Sequence, residues 1–370
     1  MTDTTTYSPT NPLLRPYDSA ALHLPNRIVM APMTRGRADA AGVPHPLAAA
    51  YYAQRASAGL IVTEGIWPIS TGIGGPGLPG LATAAQVAGW RTVTTAVHAA
   101  GGRIFAQLWH VGRVSHPSVQ PGRAAPLAPS AVRPPGQLHV PGGKADYVTP
   151  RAMALAEIAE TVRSYADAAR NALAAGFDGV EVHAANGYLL QQFLGDNTNL
   201  RSDAYADGRR FVIEVVDAVT GAIGAARVGL RLSPGNTEND VHESDPGALY
   251  APLVSTLDSR GLAYLHLSEK GRYPAITELR QVWSGTLIGN YDPPEPTNPA
   301  TGELLLASGA ADLVAFGRLF LANPDLPIRI AVGAPLAEAA EATHYTPGPS
   351  GYADYPAIDL VDAYDPINGM

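Results

Sequence analysis

The chain has 370 residues, no cysteine and a net charge of −8, with 46% hydrophobic residues. That length supports a large core of one or two domains, and the missing cysteines exclude disulfides, thiolate catalysis and cysteine metal sites. No Lys/Arg cluster stands out, which argues against nucleic acid as a partner; no run approaches the roughly 18 apolar residues of a membrane span.

The N-terminal "MTDTTTYSPTNP" has neither a basic nor an apolar region of the kind a secretory signal needs, so a cytoplasmic protein is the expectation. Apolar strand candidates then follow in order: 27–33, 60–65, 103–109, 179–184, 228–233, 263–268, 286–290 and 312–317. They are short, β-rich and apolar throughout, as parallel strands covered on both faces should be. Ala-rich helical stretches separate them, at 45–59, 83–102 and 152–176, with Gly59, Gly101, Gly176 and Gly309 placed as left-handed helix ends. Eight strands alternating with helices predict an α/β fold, a (β/α)8 TIM barrel, over a doubly wound open sheet. Two stretches break the alternation. Residues 112–150 read as an excursion after the third strand, and 341–370 as a loop-rich C-terminal segment.

The run "TGIGGPGLPG" (71–80) matches G-x-G-x-x-G twice. Pro76 and Pro79 remove backbone donors and no acidic residue follows at ribose spacing, so it reads as a loop after the second strand. In "FAQLWHVGR", Gln107 and Trp109 share one strand face. A planar heterocycle with an amide-like edge would suit Gln107, and so would neighbouring backbone. The strand "GFDGVEVHAANGYLLQQFL" places His183, Asn186 and Tyr188 at its C-terminal end, the active face of a barrel. Two N–H donors there could hold a carbonyl or nitro oxygen and a phenol could deliver a proton; a strand-end histidine and a capping asparagine is the plainer reading. Arg231 lies between Leu230 and Leu232, and needs a distant carboxylate or a ligand anion to balance it. Backbone near Gly289 and Gly317, with Arg318, would suit a phosphate, though a surface arginine after a strand-end glycine explains Arg318 as readily.

Taken together, "NRIVMAPMTR", "AGLIVTEG", "AQLWHVGRVSH", "GFDGVEVHAANGYLLQQFL", "RLSP" and "ADLVAFGRLFLANPDLP" resemble the old yellow enzymes, flavin-dependent ene-reductases, in their classical bacterial branch. The resemblance implies a single FMN-binding barrel domain over 11–356, with 1–10 and 357–370 as terminal extensions. It implies non-covalent FMN, with NADPH or NADH as hydride donor. By that likeness Thr34 meets the flavin near O4, Gln107 its pyrimidine edge and Arg231 its N1–O2 side. Backbone at Pro32, Met33 and Gly65 lines the ring, and Gly289, Asn290, Gly317 and Arg318 hold the phosphate. His183 and Asn186 take the oxygen of a small activated alkene, Tyr188 gives the proton, and Trp109 and Tyr352 flank the substrate. The likeness extends to a monomer or homodimer.

The sequence departs from the family pattern at "LRSDAYADGRRF" (200–211), which lacks a Gly-Gly-Ser-x-Glu-Asn segment, so the following helix needs a rebuilt first turn. The segment 268–281 is short and 290–303 is rich in proline. A biosynthetic flavin oxidase or isomerase is the alternative on the same barrel. A flavin-free lyase or aldolase would want a Schiff-base lysine, and the chain has only Lys144 and Lys270.

Overall fold

Eight of the apolar runs form eight parallel strands in a computed structural model that describes residues 11–270, 273–291 and 296–358. The strands are β1 (Ile28–Met30), β2 (Leu60–Ile66), β3 (Ile104–Leu108), β4 (Gly179–Ala184), β5 (Val228–Leu232), β6 (Tyr264–Glu269), β7 (Leu287–Tyr291) and β8 (Leu313–Phe316). They close into a barrel, with β8 pairing back onto β1 through Val314 opposite Ile28. Each predicted strand lies within two or three residues of its observed bounds, and β4 matches at both ends.

Alternation along the strands sorts the side chains. On β4 and β5, Val180, Val182, Ala184, Val228, Leu230 and Leu232 join the core under the helices. The intervening positions face the barrel interior. Its lower part is apolar, with Val29, Leu60, Val62, Phe105, Tyr264, Ile288 and Leu313 in one cluster. A short ribbon, Tyr17–Asp18 with His23–Leu24, adds Leu22 and Leu24 and closes that end. Higher up, the inward positions carry Gln107, Glu181, His183, Arg231 and His266, all buried. The barrel is therefore oily below and polar above, and the polar layer lies under the C-terminal strand ends.

Outside run α1 (Leu47–Ala53), α2 (Ala84–Ala99) and α3 (Leu155–Ala174). α2 starts on a capping box between Thr83 and Gln86. Gly101, Gly176 and Gly309 have the expected positive φ. Gly59 does not; it is a glycine because a side chain there would overlap the Asn26 carbonyl. The 112–150 excursion contains an unanticipated antiparallel hairpin, Gln137–Val140 with Gly143–Asp146, and Lys144 sits on it, exposed to solvent. The 71–80 run is a loop tied down by Trp67, whose indole N–H donates to the Leu78 carbonyl at 3.0 Å. Among the described residues no helix is long and apolar enough to cross a membrane. Part of the 268–281 segment and of the Pro-rich 290–303 loop lies outside the described residues.

The shortened 200–208 stretch shows how its helix restarts. α4 (Leu189–Leu194) follows β4, and α5 (Arg209–Ile223) begins after Gly208. Asp207 accepts the Arg209 backbone N–H at 3.1 Å, supplying a cap where Gly208 offers none. Gly208 lies so close to the Phe193 carbonyl that an added methyl would overlap it. Gly208→Ala should therefore lower unfolding stability by about 1–3 kcal/mol, read as a shift in the denaturant midpoint.

Candidate active site

The site is built on strand ends, where backbone positions are fixed by the barrel's register. Glu181 stands opposite Gln107 on β3, and His183 opposite Arg231 on β5. Register between β2 and β3 shifts between Val62 and Gly65, so the chain bends where it meets the cavity. Pro32, Thr34, Gly65, Gln107, Trp109, His183, Asn186, Tyr188, Arg231 and Glu238 line that cavity. Gly65 must be a glycine, since a Cβ there would run into the Trp109 indole.

His183 is 7% exposed and its ring is neutral at pH 7. Burial first, then the nearby Arg231 charge, pushes its pKa down to about 3. Its Nδ1 accepts the Ala185 backbone N–H at 3.2 Å, so the ring proton sits on Nε2, free to donate. Asn186 adopts a left-handed φ of 56°, which asparagine tolerates better than most residues. Its backbone N–H donates to Ser233 Oγ at 2.8 Å, and its Nδ2 donates to Glu238 Oε2 at 3.1 Å. A second Nδ2 proton remains. Tyr188 packs edge-on against Trp109 and His183, with ring centroids 4.8 and 5.3 Å away. Burial raises its pKa above the ordinary phenol range, Glu238 and Tyr147 add to this, and Asn239 opposes it. The phenol keeps its proton at neutral pH.

The folded value near 3 for His183 lies below its ordinary 6.5. Below pH 6.5 the unfolded chain therefore takes up a proton that the folded chain refuses. Stability falls as pH drops from there towards 3, by up to about 1.4 kcal/mol per pH unit from this group. His183→Asn should remove that share: the stability lost between pH 7 and 5 in urea titrations should shrink by about 2 kcal/mol.

Beneath the cavity, Glu181 organises the polar layer. Its Oε1 accepts Gln107 Nε2 at 2.8 Å and its Oε2 faces His266 Nδ1 at 2.8 Å, all three groups being buried. Burial raises the Glu181 pKa, but His266, Arg231 and Gln107 outweigh it and hold the carboxyl below its usual range. With its amide nitrogen committed to Glu181, Gln107 has its carbonyl to offer as an acceptor. Arg231 donates from Nη2 to Asn290 Oδ1 at 3.0 Å. Both answers to its missing counter-charge hold in part: Glu181 is a distant carboxylate, while Nε is buried with no partner among the described residues. Trp109 Nε1 is likewise unpartnered. An acceptor on one side and an unmatched guanidinium N–H on the other suit a planar heterocycle with a donor edge and an electron-rich edge, which is the pattern of an isoalloxazine.

The remaining predicted positions divide. Gly289 and Asn290 lie in the C-terminal half of β7; Gly317 and Arg318 follow β8, with Met33 Sδ close to Gly317. None of these five lines the cavity itself. Asn290 is committed as a bridge, taking Arg231 Nη2 and donating to the Ala315 carbonyl at 3.1 Å, so only its backbone is available to a ligand. The Arg318 side chain is 61% exposed. Tyr352 departs from expectation. It is 1% exposed and stacks on Tyr51 at 4.2 Å, under the guanidinium groups of Arg35 and Arg37, outside the cavity lining. Two arginines draw it into the core, and Tyr345 is the C-terminal tyrosine near enough to influence Tyr188. Neither Lys144 nor Lys270 lines the cavity, and no His/Asp/Glu cluster among the described residues could hold a metal.

Glu181, Glu238, Asn239, His266 and Tyr345 were not singled out from the sequence. Glu181 and His266 carry a usable signal, since each is a polar residue at an inward position of an otherwise apolar strand. The others have none.

A family profile described as the NADH:flavin oxidoreductase / NADH oxidase family matches residues 12–337. The chain is 42% identical to 12-oxophytodienoate reductase 1 of Oryza sativa subsp. japonica, over 95% of this chain and 94% of the relative. Among solved structures, the old yellow enzyme homologue from Zymomonas mobilis is 41% identical with a TM-score of 0.90, covering 94% of this chain and 99% of its own. Morphinone reductase in complex with tetrahydroNAD is 44% identical with a TM-score of 0.90, covering 96% and 99%.

Proposed function

The chain belongs to the old yellow enzymes of the NADH:flavin oxidoreductase / NADH oxidase family, and from that membership we propose how its own residues carry out the reduction of activated C=C bonds. FMN, when bound, supplies hydride transfer from NAD(P)H to the alkene. Gln107 and Arg231 would hold the two polar edges of the ring. Thr34 and the backbone of Pro32, Met33 and Gly65 would complete its bed. Backbone at Gly289, Asn290 and Gly317, with the Arg318 guanidinium, would take the phosphate.

His183 and Asn186 bind the carbonyl or nitro oxygen of the substrate through two neutral N–H donors. These contacts strengthen as the oxygen gains enolate charge, so they favour the transition state over the bound substrate. Tyr188 holds its proton until a carbanion develops and then delivers it to the α-carbon. The observation that carries this reading is the convergence of His183 Nε2–H, the spare Asn186 N–H and a protonated Tyr188 on one cavity, above an unmatched Arg231 Nε. The reading places the domain over 11–356.

The test is direct. The purified protein should show a flavin visible spectrum, bleach anaerobically with NADH or NADPH, and recover its colour on addition of an enone such as 2-cyclohexenone. A colourless preparation that takes up no added FMN would refute the cofactor assignment. Bleaching without recovery across an enone and nitroalkene panel would refute the substrate class.

A further inference from the structure

Glu238 is the only carboxylate lining the cavity among the described residues. One of its oxygens accepts Asn186 Nδ2; among the described residues the other takes no hydrogen bond and the group makes no ion pair. Arg231 is the only arginine or lysine lining the cavity among the described residues.

The loop carrying Glu238 is held from several sides. Its neighbours Asn239 and Asp240 both have left-handed backbones, with φ of 55° and 59°, a conformation that Asn and Asp tolerate and that here is also held by contacts from outside the loop. Arg113, with its side chain 1% exposed, donates from Nη2 to the carbonyls of Asn239 and Asp240, each at 2.8 Å. Asn239 Nδ2 donates to the Asn186 carbonyl at 2.8 Å. On the opposite side Gly187 approaches the Glu238 carbonyl so closely that any Cβ would overlap it. Glu238 is thus a fixed negative charge on the wall, beside the amide that would hold the substrate oxygen. Asp240, two residues on, has its charge engaged by Arg113 at 3.9 Å and His242 at 3.0 Å.

We propose that Glu238 sets the charge preference of this pocket: activated alkenes carrying an ammonium group are favoured, and those carrying a carboxylate are rejected. The inference rests on the ene-reductase reading above and goes beyond it to a substrate class. A charge at a solvent-exposed mouth discriminates chiefly by repelling the wrong sign, and salt weakens the effect.

The test uses the holoenzyme and its Glu238→Gln and Glu238→Lys variants, with three isosteric enones that bear a neutral, an ammonium or a carboxylate group. The unaltered protein should favour the ammonium enone over the carboxylate by about tenfold in kcat/KM at low ionic strength, and less at high. Glu238→Gln should bring the two within about twofold, and Glu238→Lys should invert them. In parallel, dissociation constants of the three corresponding saturated ketones are read from the visible absorption of the bound flavin. These should show the same ordering without turnover. A ratio unchanged in Glu238→Gln, by rate or by binding, overturns the proposal. Should the ketones bind with the expected ordering while no enone is reduced, the reaction assignment fails and the charge preference stands. Glu238 is exposed, and unchanged melting temperatures would confirm that both variants fold.

Discussion

Replacing His183 and Asn186 together by alanine should reduce kcat/KM for an enone by about 10³-fold, close to 4 kcal/mol of transition-state stabilisation. The expectation follows from what each donor is. His183 is neutral and its proton is fixed on Nε2 by the Ala185 N–H at Nδ1. Asn186 is fixed by the Ser233 hydroxyl, the Asn239 amide and the Glu238 carboxylate, which leaves one N–H to spend. Neither donor needs to reorient as negative charge grows on the substrate oxygen, and that preorganisation is the source of the rate gain. One such donor is worth about 10²–10³ in other sites, and two acting on one oxygen overlap, so the pair falls short of the product. Alanine at 186 also strains the left-handed backbone, by roughly 1–2 kcal/mol. Asn186→Gly keeps that conformation and separates lost chemistry from lost fold. Single-turnover reoxidation of reduced enzyme is the measurement, and a loss under fivefold would remove the oxygen-binding role.

Arg35→Met should cost about 3–5 kcal/mol of stability and lower the melting temperature by roughly 5 °C. Arg35 is 1% exposed and donates to the carbonyls of His344 and Gly351 and to the Tyr51 hydroxyl, with Tyr51 and Tyr352 stacked beneath it. A methionine fills the space but leaves those acceptors unmet. It also removes a charge that helps offset the burial of Glu64, whose pKa is pushed up to about 7 and whose carboxylate accepts the Arg35 and Gly36 backbone N–H groups. Glu64 precedes Gly65 and Arg35 follows Thr34, so the variant should bind FMN less tightly as well as melt earlier. A calorimetric change below about 1 kcal/mol would show that the tyrosine stack holds this region without the arginine.

The barrel was readable because its strands are buried on both faces, which leaves uniform apolar runs bounded by turn residues. The proposed site residues on those strands stand out for the same reason: a polar side chain such as Gln107 or Arg231 conflicts with the run around it. Pairing was not readable. Nothing in the sequence near Gln107 points to Glu181, because their contact is made by the register of β3 with β4. Tyr352 was misplaced because its position is decided by Arg35 and Arg37, some three hundred residues earlier in the chain. The roles of His183, Asn186 and Tyr188 came from resemblance, since chemistry alone left a capping asparagine and a strand-end histidine as fair alternatives. Glu238 gave no signal; its importance depends on a loop shape enforced by Arg113 from another strand end.

The closure of β8 on β1, and the grip of Arg35 and Arg37 on the carbonyls of Thr343, His344, Gly348, Ser350 and Gly351, tie residues near 30 to residues some three hundred positions later. During translation the Thr34 loop therefore waits, with its anchors still unsynthesised, until residues 343–351 have left the ribosome. Acquisition of the prosthetic group becomes a late event in biogenesis. Nascent or prematurely terminated chains should emerge colourless, and holoprotein yield should track the supply of FMN at the moment of release.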